Sequence, residues 1–462
     1  MRVRSTNTPH TLRTHYRRII LAYVPFRNRP PPCHPASTQP HPCIAQENGT
    51  IPGCAINSPY RLGNVTTEWL NTALAPYLTK KIVSFTLKPV GETEGVAALS
   101  QRLSLVYSDE DSGNAAPKTP TNPATAFIKV PSIKKELAEG LLGPYGFYAK
   151  EVRFYADLSE VIKPYLKVPT MLFGVIDPAP APWKFCLILA DLSEFGAQAG
   201  DDCVGSTLEQ TERINDAIVK CQVAMHDNPV MDQDWLKAPH AYVRDVGAGL
   251  AACTPAFEEV CKRKPKSAPM DYPAEVFEMF DLFKVEGNGA KLAKYCSDTL
   301  DATPFMTLMR VDNRLENYMF NDAGDIWAVD WQVASKWSCA FDLAWWLNFS
   351  TSLDVAEKHH TEILTHYHHS LVEAGVKGYS YETFYKEYVA SLIWITEWMV
   401  VCSVSQFITG YKWGTDVEDI EGGLTQKEIR VRELWNAVSE RVFFGCIREK
   451  VFPKMKEICA SA

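Results

Sequence analysis

The prevailing period of the chain's apolar pattern changes near Gly200, and that change limits the folds open to it. Before it lie short runs of strand length. Residues 81–90 alternate as far as Pro89, and 103–107, 126–130, 170–175 and 185–189 are apolar segments that read as strands. Two helical patterns interrupt them. One opens at Thr67-Glu68-Trp69-Leu70, capped by Thr66 or Thr67, and reaches about Lys80; the other runs from Gly143-Pro144 to about Leu158. Gly91-Glu92-Thr93-Glu94-Gly95 reads as a turn, and 108–123 as a polar loop. After Gly200 the period becomes helical. Residues 209–225 carry Ile214, Ile218 and Val223 at helical spacing, and 277–295 and 388–411 are also helical in texture. A single β-rich island, 307–333, breaks this half. The pattern predicts an α+β, two-lobed molecule: a small antiparallel β-sheet lobe with one helix at 61–192, a connector near Asp191, and a larger, mainly helical lobe at 193–462.

Composition narrows the function. The 462 residues carry 47 Lys+Arg against 55 Asp+Glu, a formal net charge of −8. A mildly acidic chain is poorly suited to gripping nucleic-acid phosphates. Hydrophobic residues at 46% and charged residues at 22% are globular proportions. No apolar run spans a membrane; the longest candidate, 388–411, has Glu397 in its middle and reads as a buried large-lobe helix. Residues 1–60 form a basic, Pro-rich head, disordered or targeting. Before Glu47 there are seven Arg and no acidic residue, so the rest of the chain balances at −15. An organelle transit peptide, a solvated tail and a misassigned start stand open for this head. Thirteen Cys occur without a CxxC pair, which reads as reduced thiols in a cytoplasmic protein, or an organellar one if 1–46 is a transit peptide.

The island carries the chemistry. Asp312 is followed five residues later by Asn317, then by the turn Asn321-Asp322-Ala323-Gly324 and a strand that delivers Asp330-Trp331-Gln332. Such a hairpin can bring Asn317 and Asp330 to the same end, where two oxygen donors suit Mg²⁺. Asp312 would stand nearby to accept a hydroxyl proton. Taken singly, each of these residues reads as a loop cap or strand terminator; the ordered set favours function.

Asp-x-x-x-x-Asn followed by Asp-Trp-Gln resembles the core of protein-kinase-like small-molecule kinases, the aminoglycoside phosphotransferase and choline/ecdysteroid kinase-like proteins. Residues 308–320 are similar to that family's catalytic string, and Asp342-Leu343-Ala344 to a following signature. The resemblance covers about 66–450. It implies a bilobal protein-kinase-like fold and ATP-dependent transfer of phosphate to the hydroxyl of a small organic molecule, with ATP and Mg²⁺ as cofactors and no nucleic-acid or membrane partner. Asp312 would be the base, and Asn317 and Asp330 the metal ligands. Phe127-Ile128-Lys129 resembles the strand-borne ATP lysine, and residues 148–155 a helix that supplies its partner, Glu151. Residues 187–192 look like a hinge meeting adenine through the backbone of Ala190 and Leu192. Ala224-Met225-His226 resembles the end of the first large-lobe helix. Gly91 and Gly95 bracket a loop that lets N–H groups approach phosphate. Asp342 is read as a structural brace, and Arg314 as a phosphate contact or the partner of an acid.

The family's His-Gly before the catalytic Asp is Arg310-Val311 here, and a β-branched Val resists the tight backbone that Gly allows. The reading favours an active kinase; the alternative is a catalytically impaired pseudokinase serving as a nucleotide-binding or interaction module. A protein kinase is disfavoured, since no Ala-Pro-Glu follows Asp330. His359, His360, His366, His368 and His369 read as a solvated helix face rather than a metal site. Glu397, Trp394, Trp398 and Trp413 are candidates to line an acceptor pocket.

Overall fold

The computed structural model describes residues 59–461, apart from 91–97, 112–121, 136–137, 177–183, 237, 239, 265–270, 409–410, 412, 414, 417–419 and 421. The basic head up to residue 58 and the loop glycines Gly91 and Gly95 therefore lie outside the described residues.

Strands β1 (Lys80–Pro89), β2 (Ala98–Asp111), β3 (Thr125–Pro131), β4 (Met171–Ile176) and β5 (Phe185–Ala190) form one antiparallel sheet, ordered β1-β2-β3-β5-β4. A helix covers each face. Helix α1 (Thr67–Ala73) starts where the Thr66 side chain accepts the Trp69 N–H at 3.1 Å. It is shorter than the sequence pattern implies, because Pro76 cannot continue it. Trp69 and Leu70 pack with Ile128, Val130, Phe173 and Ile188. Helix α2 (Phe147–Arg153) begins only after Gly146, whose φ of +74° is not helical, and continues through a wide turn, Phe154–Leu158. Tyr148, Val152 and Phe154 lie in one core with Phe185, Leu187 and Leu189. Alternation along β3 puts Ile128 and Val130 toward α1 and leaves Lys129 for the α2 side.

The large lobe is built on helices α3 (Leu208–Met225), α4 (His240–Arg263), α5 (Ala274–Phe283), α6 (Asn288–Asp301), α7 (Cys339–Trp345), α8 (Leu353–Glu373), α9 (Tyr381–Cys402), α10 (Gln426–Arg448) and α11 (Val451–Ala460). Reciprocal caps between Thr207 and Gln210, and between Thr425 and Glu428, fix the starts of α3 and α10. The stretch 277–295 is two helices rather than one, separated at Gly287, which sits at φ +88°. The island forms β7 (Met306–Met309), β8 (Tyr318–Phe320), β9 (Ile326–Ala328) and β10 (Ser335–Ser338); β8 also pairs with β6 (Gln198–Ala199). Gly324, at φ +83°, closes the β8–β9 hairpin with its N–H on Asn321 O at 3.0 Å. The core that holds α2 continues into the large lobe through Ile214, Ile218, Leu315, Tyr318, Trp331 and Trp346. The sheet and the island are thus one packed unit.

Helix α9 is buried along most of its length, Glu397 included, and among the described residues no helix is long and apolar enough to cross a membrane. No disulfide joins any two of the ten described cysteines. The histidines of α8 are not a uniformly solvated face. His360 is buried and pairs with Glu449 at 2.8 Å, whereas His366 meets Asp216 at 3.0 Å near the surface. Among the described residues no cluster could hold a metal through three His, Cys, Asp or Glu groups.

Candidate active site

Lys129 brings the lobes together. Its Nζ lies 2.7 Å from Glu151 Oε1 on α2 and 3.1 Å from Asp330 Oδ1, just past β9. Burial works against the ammonium, but Asp330 and Glu151 outweigh it and hold Lys129 firmly protonated. Burial pushes the Glu151 carboxyl up, with Lys129 pulling the other way. Next to Glu151, Lys150 donates to Ser335 Oγ at 3.2 Å, tying α2 to the segment after Asp330, and burial lowers its pKa to about 8.

Two buried carboxylates hold the loop of residues 310–317 at its ends. Asp342, in the first turn of α7, accepts the N–H of Arg310 at 2.9 Å and of Val311 at 2.9 Å, and its backbone oxygen takes Asn313 Nδ2 at 3.0 Å. Burial raises Asp342 to about 6, and those N–H groups oppose the rise. Asp202, between β6 and α3, accepts Leu315 N–H at 3.1 Å, Glu316 N–H at 3.2 Å and Ser350 Oγ at 2.7 Å. It too is raised to about 6 by burial. Gly200 permits the approach: a Cβ there would come within 2.5 Å of Leu315 Cγ.

Between these braces Asp312 is partly exposed, at 26%. Its Oδ2 accepts Asn317 Nδ2 at 3.1 Å and faces Arg314 Nε at 3.4 Å. Burial raises its pKa; Arg314 offsets this and Asp330 adds to it. The Asn317 amide nitrogen is committed to Asp312, so its carbonyl oxygen is the atom left to a ligand. Val329 N–H on Asn317 O at 3.0 Å holds Asn317 beside Asp330. A carboxylate and an amide oxygen at one hairpin end, with an ammonium alongside, are the donor types that suit Mg²⁺ and a polyphosphate.

The departure at 310–311 has a definite shape. Val311 adopts φ +67° and Asp330 φ +61°, both left-handed and uncommon outside glycine. Arg310 is buried, with its guanidinium 4.3 Å from the Trp331 ring and 4.7 Å from the Tyr318 ring. Trp331 in turn stacks on Phe154 beyond α2, at 3.9 Å between centroids.

The other expected positions fall as follows. Ala190 ends β5 and donates its N–H to Thr170 O at 2.8 Å; Leu192 O accepts from Ala197 N at 3.2 Å. His226 follows α3 and bonds Met306 O at 2.9 Å. Arg314 pairs with Glu316 and lies 3.6 Å from Asp202, within the protein rather than pointing outward. Glu397 is fully buried, with Cys296 of α6 and Cys459 of α11 near it, and among the described residues neither of its carboxylate oxygens has a hydrogen-bond partner. Sequence reasoning missed Asp202, whose only signal was an acidic pair following Gly200. It also missed Arg430 on α10, which reaches Asp201 at 2.5 Å and Glu316 at 3.4 Å.

Among solved structures, a choline kinase from Cryptosporidium parvum Iowa II is 9% identical, with 85% of this chain and 98% of that one covered and a TM-score of 0.41. A choline kinase from Streptococcus pneumoniae is 12% identical, covering 79% and 95%, with a TM-score of 0.39. An ethanolamine kinase from Plasmodium vivax is 11% identical, covering 70% and 78%, with a TM-score of 0.38. No curated protein matches. The model of the ecdysteroid kinase-like family matches residues 101–377, more than half of the sequence and the whole of the stretch from Lys129 to Asp342. The chain belongs to the ecdysteroid kinase-like family.

Proposed function

We propose that the protein transfers the γ-phosphate of ATP to a hydroxyl of a small organic molecule, between a lobe of residues 61–192 and one of residues 193–462. The observation that carries this reading is the meeting of Lys129, Glu151 and Asp330 beside Asp312 and Asn317. Lys129 binds the α- and β-phosphates and Glu151 holds its ammonium in place. Asp330 and Asn317 hold Mg²⁺, which when bound neutralises charge on the phosphate oxygens. The Asp312 Oδ2 contacts leave Oδ1 to the acceptor hydroxyl. Asp312 takes the hydroxyl proton as the acceptor oxygen bonds to the γ-phosphorus, and the bond to the β–γ bridging oxygen breaks to release ADP. Adenine meets the backbone at Ala190 and Leu192, with Gly91 and Gly95 in the phosphate-covering loop. The setting that goes with this reading is cytoplasmic, where thiols such as those of the ten described cysteines stay reduced.

The test is transfer from γ-labelled ATP across a panel of hydroxyl acceptors, with a steroid alcohol first, since the family's description names that class. Sugars, aminoglycosides and choline-like amines complete the panel. Asp312→Asn is expected to lower kcat by roughly 10²–10⁴-fold, and Asp330→Asn to abolish turnover. Transfer by Asp330→Asn at the wild-type rate would refute the assignment. A second reading, nucleotide binding without transfer, rests on the left-handed Val311 where the family carries Gly. It predicts that wild type binds Mg-ATP but phosphorylates nothing, and that Arg310→His with Val311→Gly gains activity.

A further inference from the structure

Arg310 is a buried cation that the reaction above leaves without a task. Among the described residues its side chain has no carboxylate partner; instead Nη2 donates to Val329 O at 2.6 Å and approaches Asn317 O at 3.5 Å, while Nε and Nη1 have no hydrogen-bond partner there. The Trp331 and Tyr318 rings take its faces. These contacts share one property. Val329 and Trp331 are the residues on either side of Asp330, and the Asn317 carbonyl and the Tyr318 ring belong to Asn317 and its successor. The guanidinium therefore touches the backbone or immediate neighbours of both proposed metal ligands and neither ligand's side chain.

We propose that Arg310 is a positioning residue that sets the spacing between Asn317 and Asp330 and so tunes the site's affinity for Mg²⁺. The proposal rests on the phosphotransfer reading. A guanidinium suits the task because it is weakly hydrated, planar enough to stack on rings, and able to donate in that plane to a carbonyl. Asp330 needs such a hold, because its left-handed backbone persists only where its surroundings over-determine it. The aromatic stack carries the same clamp to Phe154, three residues beyond Glu151, so the metal end and the lysine-anchoring helix are fixed by one column of side chains.

The experiment is titration of Mg²⁺ into full-length protein with a fluorescent ATP analogue, for wild type, Arg310→Met and Arg310→Gln, with nucleotide affinity in excess chelator measured alongside. Arg310→Met is expected to raise the Mg²⁺ half-saturation by roughly ten- to hundredfold, the usual effect of losing an outer-shell partner of a metal ligand. Metal-free nucleotide affinity stays unchanged. Arg310→Gln keeps a planar donor and is expected to fall between Met and wild type; it carries the test if the Met variant does not fold. Folded variants with the wild-type Mg²⁺ half-saturation overturn the role of Arg310 alone. A wild type whose nucleotide binding is indifferent to Mg²⁺ overturns the phosphotransfer reading and this one with it.

Discussion

Asp342 and Glu397 are both carboxyl groups buried on helices of the large lobe, and their surroundings are opposite. Asp342 accepts two backbone N–H groups of the loop at 310–317. Among the described residues Glu397 has no hydrogen-bond partner on either oxygen. Burial raises the pKa of both; for Asp342 the N–H groups pull against it, and for Glu397 nothing does. A buried acid is therefore not a sign of a site. What distinguishes the two is whether the charge is used to hold a backbone that could not otherwise keep its shape, as at Val311 with its φ of +67°.

Three measurements sharpen or break that contrast. Asp342→Ala should have the largest effect, because it leaves two buried N–H donors unsatisfied; we expect a loss of about 3–5 kcal/mol in urea unfolding, at about 1–3 kcal/mol per orphaned group. A loss no greater than that of Glu397→Ala would end the distinction. The second concerns pH. The folded Glu397 carboxyl stays protonated while the unfolded one ionises near 4.3, so the native state binds the extra proton. Stability from this group is full below that value and falls as pH rises, by about 1.4 kcal/mol per pH unit. The stability of Glu397→Gln relative to wild type should accordingly climb between pH 5 and 7; a constant difference would show that Glu397 finds a partner. The smallest effect belongs to Glu397→Leu at pH 5, expected to stabilise by about 1–2 kcal/mol through removal of an unsatisfied polar group from an apolar core. Destabilisation there would return Glu397 to the list of candidates for function.

The same contrast marks what the sequence could reveal. The sheet-then-helix order follows from a change of hydrophobic period, which is local. The set Asp312, Asn317 and Asp330 lies on one loop and the hairpin that follows it, so its convergence follows from spacing. Asp202 braces Leu315 from 113 positions away, and no local pattern announces such a partner. Arg430 reaches the loop from α10 across a still longer separation. Arg310 was visible only as a mismatch, because its contacts are with carbonyl groups and ring faces, which leave no trace of charge complementarity in sequence. The early end of α1 at Ala73 was legible in Pro76; the pattern of apolar residues beyond it outweighed that signal.

Eight of the ten described cysteines are buried, and burial raises their thiols, Cys253 to about 11 and Cys221 to about 12. The thiolate is the reactive form, so these side chains stay silent toward alkylating reagents until the chain around them opens. Cys186 lies on β5 and Cys221, Cys296, Cys339 and Cys446 on helices of the other lobe. The molecule thereby carries built-in clocks in both halves: the rate at which each thiol is capped reports how often its neighbourhood breathes.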